Sequence, residues 1–180
     1  GVSQTYVDPS SNPPTVEEEV AGGNEETSHT DLAYPIITEL LPNPNGSGND
    51  DTDEFIELYN PNDASFLLDG YVLQTGTTTK HSYAFPVGTY LAPGYTAFYA
   101  EDTNLAMSNT SGQARLLDGD GNVLSESALY GEADDGTSWA FIDNVWQWTT
   151  SPTPGGANLA TVVTKTVTTA VKSATTTAAK

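Results

Sequence analysis

The stretch GSGNDDTDEFIELYNPN, Gly46 to Asn62, decides how the rest of the chain is interpreted. It begins as a loop of glycine, asparagine and aspartate, continues as an alternating apolar and polar run, and ends at a turn signal. In a strand, successive side chains point to opposite faces, so Ile56 and Leu58 share one face and Glu57 lies on the other. We therefore expect a β-strand whose Ile56 and Leu58 enter a core, preceded by an acidic loop.

Strand-like runs of the same kind fill the chain from Tyr34 to Asn158. They are IITELL, FLLDGYVLQTG, HSYAF, YLAPGYTAFYAED, ARLLDGDGNVLSESALYG and SWAFIDNVWQWTT. Turn signals separate the strands at intervals of about 8 to 12 residues, which is typical of an all-β sandwich or barrel. No window of about 12 residues shows the apolar period of a helix. The pattern predicts an all-β fold with antiparallel hairpins.

Two runs carry their own hairpin signal, at DGDGN (Asp118 to Asn122) and at Asp143-Asn144. DGDGN also spaces its first three oxygen side chains as a calcium loop does. However, Val123 stands where that loop needs glycine and Leu129 where it needs an acidic ligand. We therefore favour the hairpin over a calcium loop at this position.

The composition excludes several classes of function. The 180 residues include 24 acidic and 5 basic side chains, for a net charge of -19, and a surface of this sign repels nucleic acids and anionic lipids. The absence of cysteine excludes disulfides, thiolate zinc sites and cysteine nucleophiles. No run reaches the roughly 18 apolar residues of a transmembrane helix, so we expect no membrane insertion.

The two ends of the chain differ from its centre. Residues 1–31 carry acidic side chains and turn formers without apolar periodicity, which predicts a disordered acidic arm. Residues 159–180 are rich in Thr, Ala, Val and Lys and predict an extended linker, although TVVTKTV could instead add an edge strand. We expect one folded domain over 32–158, serving as a module of a longer protein.

The order of motifs in the centre resembles the lamin-tail domain in its bacterial form. The resemblance rests on EFIELYNP, LLDGYVL, LAPGYT and the closing W…PTPGGAN, and it extends from Ile36 to Asn158. It implies an immunoglobulin-like antiparallel β-sandwich, here of about eight to nine strands, and a non-catalytic module. Bacterial domains of this kind accompany secreted or surface proteins, sometimes beside hydrolases. The resemblance, with the linker composition, therefore implies an extracellular or cell-surface location.

Related domains in nuclear lamins bind protein partners and nucleic acid, but we do not extend the nucleic-acid role to this chain. Its centre holds only Lys80 and Arg115 as bases, against 17 acidic residues, and the chain has no heptad repeat for a coiled-coil rod. We expect an unknown protein or surface polymer as partner, and a monomer in isolation.

Three glutamates in the first two strands raise the question of catalysis. Glu39 and Glu57 lie in strands that we expect to pair, and Glu54 lies just before the second strand. Facing carboxylates could act as acid and base in glycoside hydrolysis, but that chemistry needs a cleft that a small sandwich rarely provides. We favour a structural role, with a cation ligand as the alternative: Glu57 faces outward or accepts backbone hydrogen bonds from a neighbouring turn, and the resemblance suggests that the acidic residues tie down the Asn60-Pro61 loop.

The acidic loop is a candidate metal site formed by Asp50, Asp51, Asp53 and Glu54. A calcium loop that starts at Asn49 would need glycine where Glu54 stands and an acidic residue at position 60, so the regular motif fails. Carboxylates without that order leave two interpretations open: a soluble rim, or an irregular Ca²⁺ site. We expect no required cofactor.

The tryptophans of the last run are the other candidate binding residues. Trp146 and Trp148 share one face of a regular strand. We favour packing in the core, since large aromatics fill such sandwiches. The alternative is an exposed aromatic strip, which would make the chain a carbohydrate- or polymer-binding module that accompanies a hydrolase. The sequence thus favours a non-catalytic interaction or scaffold module that could bind a divalent cation.

Overall fold

The computed structural model describes residues 32–46 and 50–161. These residues form eleven strands and two one-turn helices. In chain order they are β1 (Ile36–Leu41), α1 (Asp50–Asp53), β2 (Phe55–Asn60), β3 (Phe66–Leu67), β4 (Val72–Thr75), β5 (His81–Ala84), β6 (Tyr90–Leu91), β7 (Gly94–Tyr99), α2 (Ala100–Thr103), β8 (Ala114–Leu117), β9 (Val123–Glu126), β10 (Ser138–Ile142) and β11 (Val145–Thr149). The predicted all-β fold is confirmed. Two of the eleven strands, β3 and β6, span only two residues each.

The strands form two larger antiparallel sheets and one small one. The first sheet has the order β11-β10-β1-β2-β7, the second has the order β5-β4-β8-β9, and β3 pairs with β6. Consecutive strands pair in β1–β2, β4–β5, β8–β9 and β10–β11, and β1 also pairs with the distant β10. The architecture is that of an immunoglobulin-like β-sandwich.

The core lies between the two larger sheets. Its fully buried side chains include Leu40, Ile56 and Leu58 from the first sheet and Leu73 and Leu116 from the second. The expected burial of Ile56 and Leu58 is thus confirmed. Burial of this apolar surface, at roughly 25 cal/mol per Å², supplies the main driving force for joining the sheets.

Both predicted hairpins are present, and side-chain chemistry explains each. Asp143 and Asn144 have φ values of 52° and 65°, as the tight turn between β10 and β11 requires, and Asn and Asp tolerate this region best after glycine. In the β8–β9 turn, Asp118 accepts hydrogen bonds from the backbone N–H groups of Asp120 and Asn122. The DGDGN segment therefore closes a hairpin.

Several expectations concern residues outside those described. The disordered arm over 1–31 and most of the linker over 159–180 fall there, including the alternative edge strand at TVVTKTV. Over 32–46 and 50–161, no helix is long and apolar enough to cross a membrane.

Candidate functional site

Glu39 and Glu57 face each other across the centre of the first sheet. They are directly opposite in the register of β1 and β2, and both side chains are fully buried. A register shift between Ile37 and Glu39 marks a β-bulge, which places Thr38 beside Glu57 so that its hydroxyl donates to Glu57 Oε1 at 2.7 Å. The predicted pairing of these two strands is confirmed. The expectation that Glu57 faces solvent is wrong.

Several of the donors that satisfy this pair come from the segment that follows β11. Thr153 donates its backbone N–H to Glu39 Oε2 at 3.0 Å and its hydroxyl to the same oxygen at 3.1 Å, while Ser138 of β10 donates to Glu39 Oε1. Gly155 donates its N–H to Glu57 Oε2 at 2.8 Å. The Thr153–Gly155 segment therefore covers the outer face of the sheet and seals the carboxylates beneath it.

Burial dominates the electrostatics of this pair. Burial and, to a smaller extent, the nearby Glu39 carboxylate raise the pKa of Glu57 to about 7, although the hydrogen bonds from Thr38 and Gly155 oppose this shift. Burial also raises the pKa of Glu39. A raised pKa is a property of many catalytic acids, but here the chain's own donors occupy both oxygens of each carboxylate.

Glu57 has the predicted structural role, but the turn that it holds is not the Asn-Pro loop. Glu57 anchors the turn at Gly155, whereas Asn60 holds the Asn-Pro loop. Asn60 donates to the carbonyls of Ala64 and Leu91, at 3.0 and 2.9 Å, and its Oδ1 accepts the N–H of Asn62. The amide of Asn60 suits this task because it both donates and accepts, which a carboxylate cannot do.

A pocket of about 270 Å³ lies beside the sealed carboxylates. Its walls include Ile36, the ring pair Tyr59 and Tyr95, with centroids 4.5 Å apart, and Phe141. Asn158 fixes one wall by donating to the carbonyls of Thr38 and Phe141, at 2.7 and 3.2 Å. The pocket is smaller than the roughly 300 to 1,000 Å³ of small-molecule sites, so it suits a single side chain.

Trp146 and Trp148 lie on β11, at the edge of the first sheet, and both are half-buried against the core. Trp148 packs edge-on against Tyr130, with ring centroids 5.9 Å apart. Trp146 stacks on Trp139 of β10, with centroids 6.3 Å apart and an interplanar angle of 19°. The predicted packing of these tryptophans against the core is confirmed, and each keeps some exposed surface.

The four predicted metal ligands lie at one end of the sandwich, which we call the acidic end. Asp50, Asp51 and Asp53 belong to α1 and have exposed side chains, whereas Glu54, the next residue, is buried. Over the described parts of the chain, no cluster of three or more His, Asp or Glu side chains has the arrangement of a metal site. α1 and α2 border a second pocket of about 330 Å³, whose walls include Asp50 and Asp51.

Glu54 is only partly satisfied. Its Oε2 accepts the N–H of Met107 at 2.8 Å, while its Oε1 is buried without a hydrogen-bond partner. Burial, together with the negative charges of Asp50 and Asp51, raises the pKa of Glu54 to about 8, although the Met107 bond opposes this shift. Asn109 is also only partly satisfied, since its Oδ1 is buried without a hydrogen-bond partner.

The sequence alone did not single out Asn109, Ser138, Thr153 or Gly155. Each acts through a contact that spans a large part of the chain, as from Thr153 to Glu39. The one usable signal was the PTPGGAN motif, which the resemblance included without assigning it a partner.

Comparison with known families bears on this architecture. The model of the Lamin Tail Domain family matches residues 30–132, more than half of the chain. The chain belongs to the lamin tail domain family. No curated protein that was compared matches it.

The match to the lamin tail domain ends before two elements of the candidate site. It includes β1, β2 and the acidic end, whereas the β10–β11 hairpin and the Thr153–Gly155 segment lie beyond residue 132. The structure shows that these later residues complete the first sheet of the same domain. The sheet that contains β1 and β2 therefore includes two strands that lie beyond the matched residues.

Proposed function

We propose that this lamin tail domain is a non-catalytic interaction module of a larger protein, displayed outside the cell or on its surface. Its family and immunoglobulin-like architecture support an interaction role. As part of the same proposal, a divalent cation stiffens its acidic end, and its partner is a protein or a surface polymer.

The observation that carries the proposal is the sealing of Glu39 and Glu57. Catalysis by paired carboxylates requires room for substrate and water between them. Here Thr153 and Gly155 supply donors from the same chain to this pair, and both glutamate side chains are fully buried. The arrangement serves to hold a turn on a sheet.

The pocket between Ile36, Tyr59, Tyr95 and Phe141 is the surface that we assign to the partner. Its walls are fixed in advance by the paired tyrosines and the hydrogen bonds of Asn158, which reduces the entropy cost of binding. Its volume of about 270 Å³ accepts one aromatic side chain, whose polar group could reach Thr38, Asp143 or Asn158 in the same walls.

Site-specific photo-crosslinking in the native host tests the partner surface. A photoreactive residue replaces Tyr95 in the full-length protein, and a matched control replaces Val87, which is 91% exposed in a turn outside the pocket. We expect a discrete adduct at position 95 that is absent at position 87. Equal or absent adducts at both positions would reject this surface.

Two further measurements test the location and the lack of catalysis. Antibody labelling of intact cells should reach the domain, and labelling only after lysis would reject an external location.

A panel of chromogenic esters, glycosides and phosphates should show no hydrolysis that depends on Glu57. Loss of a measurable activity in Glu57→Gln would identify an enzyme instead.

A carbohydrate-binding module is the second candidate function, favoured by the stacked pair Trp139 and Trp146 on the edge hairpin. Half-exposed indole faces bind sugar rings through apolar contact. In affinity electrophoresis on soluble polysaccharides, Trp146→Ala should then lose retardation, whereas Tyr90→Ala, the loss of a 65% exposed aromatic elsewhere, should not. Equal mobility of all three proteins with and without polysaccharide would reject this function.

A further inference from the structure

We propose that Glu54, Asn109 and Asp50 form a calcium site at the acidic end of the domain. This inference deepens the cation part of the proposed function, and it does not depend on the partner pocket. The site differs from the one expected from sequence, because Asn109 joins it from a distant part of the chain.

Two buried oxygens without partners carry the inference. Glu54 is 1% exposed, and its Oε1 accepts no hydrogen bond, while the Oδ1 of Asn109 is also buried and unpartnered. A buried acceptor that is left unsatisfied is unfavourable, because it has lost its hydration and gained no donor in exchange. Native structures rarely leave such an atom buried unless a water or an ion satisfies it.

Asp50 connects the two unpartnered groups. Asn109 donates from Nδ2 to Asp50 Oδ2 at 3.1 Å, so the amide that carries the unpartnered Oδ1 lies against this carboxylate. Asp50 is also close enough to Glu54 for its negative charge to act on that side chain, as is Asp51. Asp50 thus lies next to the amide of Asn109 and within electrostatic reach of Glu54, with the negative charge of Asp51 nearby.

The chemistry of these ligands favours calcium. Calcium takes six to eight oxygens, including amide and backbone carbonyl oxygens, in flexible geometry. Within residues 32–46 and 50–161, the lack of three clustered carboxylates or histidines disfavours a tight site and the imidazole sites of zinc. Water and backbone carbonyls would complete the shell. Two carboxylates place the dissociation constant near that of extracellular calcium modules, roughly 0.1 to 1 mM.

The test is a titration with CaCl₂, at constant ionic strength, of protein from which a chelator has removed bound metal. Binding is followed by isothermal titration calorimetry and by the melting temperature. We expect saturable binding to one site. At a free calcium concentration of about ten times Kd, we expect a rise in Tm of about 3 to 6 °C. The same concentration of MgCl₂ should raise Tm less, since magnesium dehydrates reluctantly and demands stricter geometry.

Three variants separate a site from general charge screening. Glu54→Gln keeps an oxygen for the N–H of Met107 but removes the ligand charge, so calcium affinity should fall at least about tenfold. Glu101→Gln removes an equal charge from an exposed position of α2 and should bind calcium as the wild type does. Asn109→Asp should lower Tm without calcium, because it places a carboxylate against Asp50, and should enlarge the calcium-induced rise.

Other outcomes would overturn the site. These are the absence of saturable binding up to about 10 mM calcium, equal responses to calcium and magnesium, or equal affinities of Glu54→Gln and Glu101→Gln. The partner proposal is tested separately, by repeating the Tyr95 crosslinking in the presence of a chelator. A retained adduct together with absent calcium binding would reject the cation site alone.

Discussion

The buried carboxyl of Glu57 should make the stability of this domain depend on pH. Its pKa is about 7 in the folded protein, against 4.5 for an ordinary glutamate. Because the folded state holds this proton more tightly, the group contributes its full stabilisation below about pH 4.5 and loses it as the pH rises through 7. Over this interval of about 2.5 units, at 1.36 kcal/mol per unit, the loss is on the order of 3 kcal/mol.

Urea unfolding between about pH 5 and pH 8 measures this loss, provided that the midpoint and slope are both fitted. The wild type should become less stable as the pH rises. Glu57→Gln should lose less stability over the same range, since its amide carries no proton that titrates and can still exchange hydrogen bonds with the hydroxyl of Thr38. Glu39 and Glu54 also have raised pKa values, so the difference between the two proteins removes the contribution of Glu54 and reports on Glu57 together with its coupling to Glu39.

Glu101→Gln is the matched control, because it removes one carboxylate from an exposed position. Its stability should follow the wild-type curve in parallel. If the wild type and Glu57→Gln show equal slopes, the sealed carboxylate does not titrate in this range, and the attribution of its raised pKa to burial is refuted.

Three further variants test the packing. Gly112→Ala should destabilise the domain by about 2 kcal/mol or more, because its added methyl group would lie 2.2 Å from the hydroxyl of buried Tyr130. Gly131→Ala adds a methyl group in open space and should be nearly neutral, and thermal melts compare the two variants. Tyr130→Phe should cost about 1 to 3 kcal/mol in urea unfolding by leaving the Ser108 carbonyl unpaired, and a neutral result would contradict that bond. Asn60→Ala should cost about 2 to 4 kcal/mol by the same measure, since two carbonyls lose their donor, and an unchanged urea midpoint would show that Asn60 does not hold the loop.

Local patterns predicted the elements that depend on neighbouring residues. The alternation around Ile56 and Leu58 identified the buried face, and Asp143-Asn144 identified a hairpin, because each signal arises within a few residues. The environment of Glu57 was not predictable in this way. The second face of β2 is covered by the turn at Gly155, which follows Glu57 by 98 residues.

In the candidate site, too, features set by neighbouring residues were predictable and features set by distant contacts were not. The acidic residues of the Asp50 loop were evident in the sequence, whereas the partner amide of Asn109 lies 59 residues further along the chain. The tryptophans were placed correctly on one face, but their half-exposed position depends on β11 being the edge of the sheet. Strand order sets these features, and strand order is a non-local property.

The seal over Glu39 has a consequence for the time course of folding. During synthesis, β1 and β2 leave the ribosome about one hundred residues before Thr153 and Gly155, and N-terminal segments begin to fold first. Until the later residues arrive, the two facing carboxylates lack most of their donors, and closing so long a loop is slow. The nascent sheet must therefore keep that face hydrated, and the domain reaches its mature stability only when its last turn closes over the first strands.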